Sequence, residues 1–158
     1  MGRILAYLVS AMAAFALGGV ANAQMVTAKD PSSIVKVLQK AGYKAELAKD
    51  DTGDPMINSA SSGSNFAIVF YGCKQNKDCT RVQFSSGYTD YKNTSIEALN
   101  AWNAKNYFGR TYRTEKGVAR LEMDVDLDDG GMSPALFQDN IEWWVSIMAN
   151  FEKHISGK

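Results

Sequence analysis

Glu122, Asp124, Asp126, Asp128 and Asp129 form the densest run of chemistry-bearing side chains in the sequence, ending at Gly130-Gly131. Carboxylates crowded in this way suit calcium, a hard cation that takes about six to eight oxygen ligands. The spacing fails the calcium-loop rule in both registers. Counted from Asp124, the glycine position holds Asp129 and the bidentate-glutamate position holds Ala135; counted from Asp126, the glutamate position holds Phe137. A strand also sets alternate carboxylates in a line, whereas an ion needs them curled around it. The run therefore reads as an acidic strand face, solvated or turned to a partner. Binding of calcium or another small ligand by residues 122–129 is the alternative.

The other reactive residue types point away from catalysis. His154 is the sole histidine and sits on a charged stretch near the C-terminus, whereas a general base needs an enclosing site and an orienting partner. The sequence contains no nucleophile elbow, phosphate-cradling loop or dinucleotide fingerprint. Cys73 and Cys79 are too far apart for a C-x-x-C redox or zinc motif, and no second Cys/His pair completes a metal site. A disulfide between them is the simplest reading, and closing so short a loop contributes about 2 kcal/mol. We expect no enzyme activity and no cofactor.

Export sets the context for that disulfide. Met1-Gly2-Arg3 is followed by an uncharged run from Ile4 to Val20 and then by Ala21-Asn22-Ala23. Basic start, short apolar stretch and A-x-A site make a secretory signal, so residues 1–23 are expected to be removed and residues 24–158 to form one domain. Periplasmic residence follows, with release to the medium also open, and no membrane insertion once the signal is cleaved. Acidic and basic residues number 17 each, so bulk attraction to nucleic acid is not expected. Charge is uneven all the same: Glu115 to Glu142 holds eight acids against Lys116 and Arg120.

The elements that position these residues are legible from periodicity. Asp30-Pro31 caps a first helix to Ala41, with Ile34, Val37, Leu38 and Ala41 on one stripe and Gly42 ending it. Strands are expected at Tyr43–Leu47, Met56–Ala60, Phe66–Tyr71 and Thr80–Ser86, the cystine loop joining the last two as a hairpin. Thr94 and Glu97 form a capping box for a second helix that buries Ile96, Leu99 and Trp102. Two more strands follow, near Gly109–Thr114 and at Arg120–Asp128, the latter alternating Leu121, Met123, Val125 and Leu127 with acids. Ser133-Pro134 starts the last helix, whose Phe137, Ile141, Trp144, Met148, Phe151 and Ile155 make a heptad-like row. The order α-β-β-β-β-α-β-β-α implies a single α+β domain with an antiparallel sheet of about six strands and helices packed on it.

Adjacent Trp143 and Trp144 raise the question of a contact surface, since one narrow helical stripe cannot bury both. Leu136, Trp143, Ile147 and Asn150 form a second row beside the first. This row either widens the core face or forms a partner or self-association patch. The strand near Gly109–Thr114 also lacks proline or lysines to guard it as an edge.

Several of these segments carry a resemblance. Trp102-Asn103 before Phe108-Gly109-Arg110, the run Leu121 to Leu127 leading into Gly130-Gly131-Met132-Ser133, and Phe70-Tyr71-Gly72-Cys73 with Phe84-Ser85-Ser86-Gly87 resemble the YbjN domain family. The resemblance covers about Val26 to Ile155. It implies a regulator of bacterial sensory transduction with a fold similar to the type III secretion chaperones, small domains that bind proteins and often pair, and it brings no catalytic residues. The signal peptide is a departure from the cytoplasmic members. Together the readings give an exported, non-catalytic protein-binding module, chaperone-like or regulatory. Its partner is an unidentified protein. Glu122, Asp124, Asp126, Asp128, Trp143 and Trp144 are the candidate contact surface, and both a homodimer and a monomer remain open.

Overall fold

The computed structural model describes residues 24–91 and 94–157; the expected signal peptide, residues 1–23, lies outside them. Asp30 accepts from the Ser32 N–H to cap α1 (Pro31–Lys40). The helix ends in a Schellman motif, Tyr43 N–H donating to the Leu38 carbonyl at 2.9 Å and Gly42 N–H to that of Gln39 at 3.0 Å. Because the backbone of Tyr43 is spent on the helix, the first strand starts later than its alternation suggests, as β1 (Glu46–Lys49). Then come β2 (Pro55–Ser61), β3 (Ser64–Tyr71), β4 (Arg81–Tyr88), a 3-10 turn at Thr89–Tyr91, α2 (Ile96–Lys105), β5 (Arg110–Arg113), β6 (Ala119–Asp126) and α3 (Pro134–Ser156). The expected α+β order is the observed one, in a six-stranded antiparallel sheet ordered β1-β2-β3-β4-β6-β5.

The core lies between α3 and one sheet face. Phe66, Ile68 and Phe70 of β3, Val82 and Phe84 of β4, and Leu121, Met123 and Val125 of β6 meet Phe137, Ile141, Trp144, Met148 and Phe151. Trp144 sits at the centre, its ring 5.6 Å from Phe84 and 6.0 Å from Phe66 between centroids. Cys73 and Cys79 are bonded to each other across the β3–β4 hairpin. No helix among the described residues is long and apolar enough to cross a membrane.

Two local expectations are corrected. The cap of α2 is Ser95, whose hydroxyl accepts from Ala98 N–H, while the Thr94 hydroxyl donates back to the Tyr91 carbonyl. This one-residue shift moves Glu97 out of the capping box and leaves Ile96 exposed, with Leu99 and Trp102 buried. Edge strand β5 is also guarded. Asn103 of α2 donates to the Thr111 carbonyl at 3.0 Å and accepts its N–H at 2.8 Å. The side-chain amide thus fills the place of a neighbouring strand, which a screen for proline or lysine overlooks.

Tyr88 ends β4 inside the core, edge-on to Phe151 at 5.2 Å. The nearby Ser86 hydroxyl donates to the Asn65 carbonyl, and the buried Tyr88 hydroxyl has no hydrogen-bond partner among the described residues. Burial pushes the phenol far above the ordinary tyrosine range. The folded value is raised, so this contribution is complete below an unfolded value of about 10 and is lost above it, by up to ~1.4 kcal/mol per pH unit. Urea unfolding at about pH 9 and about pH 11 should show stability falling over that interval, and Tyr88→Phe should flatten the fall.

Candidate functional site

Two surface features stand apart from the ordinary polar exterior. The first is aromatic. Asn106 leaves α2 in an extended conformation, and the chain must turn at once into β5. It does so with a hydrogen bond from Gly109 N–H to the Tyr107 carbonyl at 2.8 Å, closing a three-residue γ-turn around Phe108 at φ +66°. A bulky residue in the left-handed region is strained by about 1–3 kcal/mol. The turn leaves Tyr107 and Phe108 83% and 65% exposed, and the Phe108 ring lies 5.2 Å from that of Trp143. Gly109 makes this approach possible. A Cβ there would stand 2.9 Å from Ile147 Cδ1 and 3.1 Å from Leu121 Cδ1.

Trp143 is 48% exposed, and Leu136, two turns earlier on α3, is exposed as well. Asp139 and Glu142 stand beside Trp143 in a shallow depression. The two tryptophans therefore separate. Trp144 is 0% exposed, which corrects its inclusion in the contact surface: at the helix azimuth set by Phe137, Ile141, Met148 and Phe151, its ring points into the sheet. Ile147 of the second row is buried too, so that row is part core and part surface.

The second feature is polar and lies on the sheet face opposite α3, where β4, β5 and β6 carry Arg81, Gln83, Arg110, Tyr112, Glu122 and Asp124 around a cleft of about 350 Å³. Glu122 is 6% exposed, so it is not part of a solvated row. Its neighbours on β5 cover it: Arg110 Nη2 donates to Oε2 at 2.8 Å, and the Tyr112 hydroxyl donates to Oε1 at 2.9 Å. A buried carboxylate needs such partners, or its desolvation would be costly. Burial, and after it this hydrogen bond, raises the Tyr112 phenol above its ordinary value. Gln83 is buried as well and donates to Asp124 Oδ1 at 2.9 Å. Tyr71 borders the cleft, and the Arg81 guanidinium lies 5.7 Å from its ring centroid. Burial first, then the charges of Glu122 and Asp124, raises the Tyr71 phenol.

The acidic run is thus divided. Glu122 is committed to Arg110 and Tyr112, Asp124 faces the cleft, and Asp126, Asp128 and Asp129 are exposed, with Asp126 Oδ1 accepting from Asp128 N–H at 3.0 Å. No three acidic, histidine or cysteine side chains come together as a metal-binding group among the described residues. His154 ties α3 to α2 through the Ala98 carbonyl at 2.8 Å and packs on Trp102 at 5.5 Å.

Sequence reasoning passed over Phe108, Arg81, Arg110, Tyr71 and Tyr112 as site residues. An aromatic pair ahead of a glycine at a helix-to-strand junction is a signal for the first. The i, i+2 pairs Arg81/Gln83 and Arg110/Tyr112 place like groups on one strand face and could have flagged the cleft.

No curated protein matches the chain. The model of the YbjN family, described as "Putative bacterial sensory transduction regulator", matches residues 30–156, and on that match the chain belongs to the YbjN family.

Proposed function

We propose that this protein is an exported, non-catalytic regulatory or chaperone-like module of the periplasm. In this reading it binds another protein through the surface formed by Tyr107, Phe108, Trp143 and Leu136. The observation that carries the reading is the γ-turn at Phe108. A strained backbone holds an aromatic ring in solvent against an exposed tryptophan, and strain of this kind gathers at binding sites. Aromatic residues also supply much of the energy at protein interfaces. The acids Asp139 and Glu142 give the surface a polar rim. Family membership agrees with regulation and brings no catalytic residues.

Export rests on the signal sequence, and the Cys73–Cys79 disulfide suits an oxidising compartment. Intact-mass measurement of exported material should give a chain starting at Gln24; retention of residues 1–23 would overturn the address. Crosslinked pull-down from periplasmic extract should recover a discrete partner with the native protein. The double variant Phe108→Ser, Trp143→Ala should lose it while remaining folded. Equal recovery by both proteins would put the contact elsewhere.

A further inference from the structure

We infer that the cleft on the open sheet face is a binding site for a small zwitterion of the α-amino acid class. Arg81 and Arg110 would take the ligand's carboxylate and Asp124 its ammonium group. This inference concerns a different face of the molecule from the aromatic surface and does not rest on that reading.

Arg81, Arg110 and Asp124 are each held by a neighbour and each left with free capacity. Arg110 gives Nη2 to Glu122, and its other N–H groups have no partner among the described residues. Arg81 is steadied over Tyr71 and has no carboxylate within salt-bridge distance among the described residues. Asp124 accepts from Gln83 through Oδ1, leaving Oδ2 free among the described residues. Side chains fixed before a ligand arrives lose less entropy when it binds. Gln83 and Glu122, both buried on this open sheet face, hold Asp124 and Arg110 in place.

Charge decides the ligand class. Arg81 and Arg110 balance Glu122 and Asp124, and Glu122 is already neutralised by Arg110 and the Tyr112 hydroxyl. A simple anion would meet Asp124, and a simple cation would meet both guanidiniums. A molecule carrying one charge of each sign satisfies the free groups of both signs at once. Arginine forks match a carboxylate through paired N–H donors, and an ammonium suits a single carboxylate oxygen. A volume of about 350 Å³ is at the small end of ligand pockets, which fits an amino acid and excludes a large cofactor.

Calorimetry on the mature protein, with pools of the standard amino acids and then single ones, tests the assignment. Acetate and ethylammonium chloride serve as controls of a single charge. At least one amino acid should bind below about 10 mM, with both controls at least about tenfold weaker. Arg81→Gln and Asp124→Asn, both exposed positions, should each weaken binding about tenfold or more and leave the unfolding midpoint unchanged. Absence of heat from every amino acid would overturn the inference. So would acetate binding as tightly as the amino acid, or unchanged binding by both variants.

Discussion

Trp144→Ala should destabilise the protein by about 3–5 kcal/mol, the range for emptying a buried large aromatic site. The adjacent Trp143→Ala should cost only about 1 kcal/mol. Trp144 is wholly buried between Phe66 and Phe84, and its removal opens a void in the layer that joins α3 to the sheet. Neighbours on β3, β4 and the helix itself cannot all close on that void, so the cavity cost adds to the lost burial. Trp143 keeps half its surface in water, and its one aromatic partner among the described residues is Phe108. Urea unfolding of the two variants reads the difference as separate midpoints. Equal losses would mean that the buried face of α3 has been wrongly assigned.

Gly131→Ala should cost about 3 kcal/mol, from left-handed strain and two broken backbone hydrogen bonds. Gly131 has φ +76°, and a Cβ there would lie 2.0 Å from the Val26 carbonyl oxygen. That oxygen accepts the Met132 N–H at 3.0 Å, and Val26 N–H donates to the Met132 carbonyl at 2.9 Å. This two-bond bridge seats the N-terminal arm, with Val26 and Ala28 in the core. The clash is with backbone, so no side-chain rotation relieves it. Amide exchange at Val26 and Met132 should accelerate strongly in the variant, together with the drop in global stability. Slow exchange at both amides would show that the arm tolerates the methyl group.

Much of the fold could be read from the sequence because its strongest signals are local. Leu121, Met123, Val125 and Leu127 alternate cleanly, the α3 row repeats at heptad spacing, and Ser133-Pro134 and Asp30-Pro31 mark helix starts. What could not be read depends on neighbours distant in the chain. Glu122 looks like Asp124 and Asp126 along β6, and only register against Arg110 and Tyr112 buries it. Trp143 and Trp144 differ by one helical step, so their fates turn on how α3 is rotated against β3 and β4. The guard on β5 comes from an asparagine side chain on another element. The γ-turn at Phe108 follows from how closely β5 must approach Ile147, which no local pattern encodes.

The central claim, that the Phe108–Trp143 surface receives a protein, is tested most directly by site-specific photocrosslinking in living cells. A photoreactive phenylalanine analogue placed at Phe108 and at Trp143 should each give the same discrete adduct. The analogue at Asn58, exposed on the opposite sheet face, should give none. An adduct of twice the chain's mass would make the partner a second copy, as in a symmetric dimer. Adducts from Asn58 equal to those from Phe108 and Trp143, or no adduct from either aromatic position, would contradict the account.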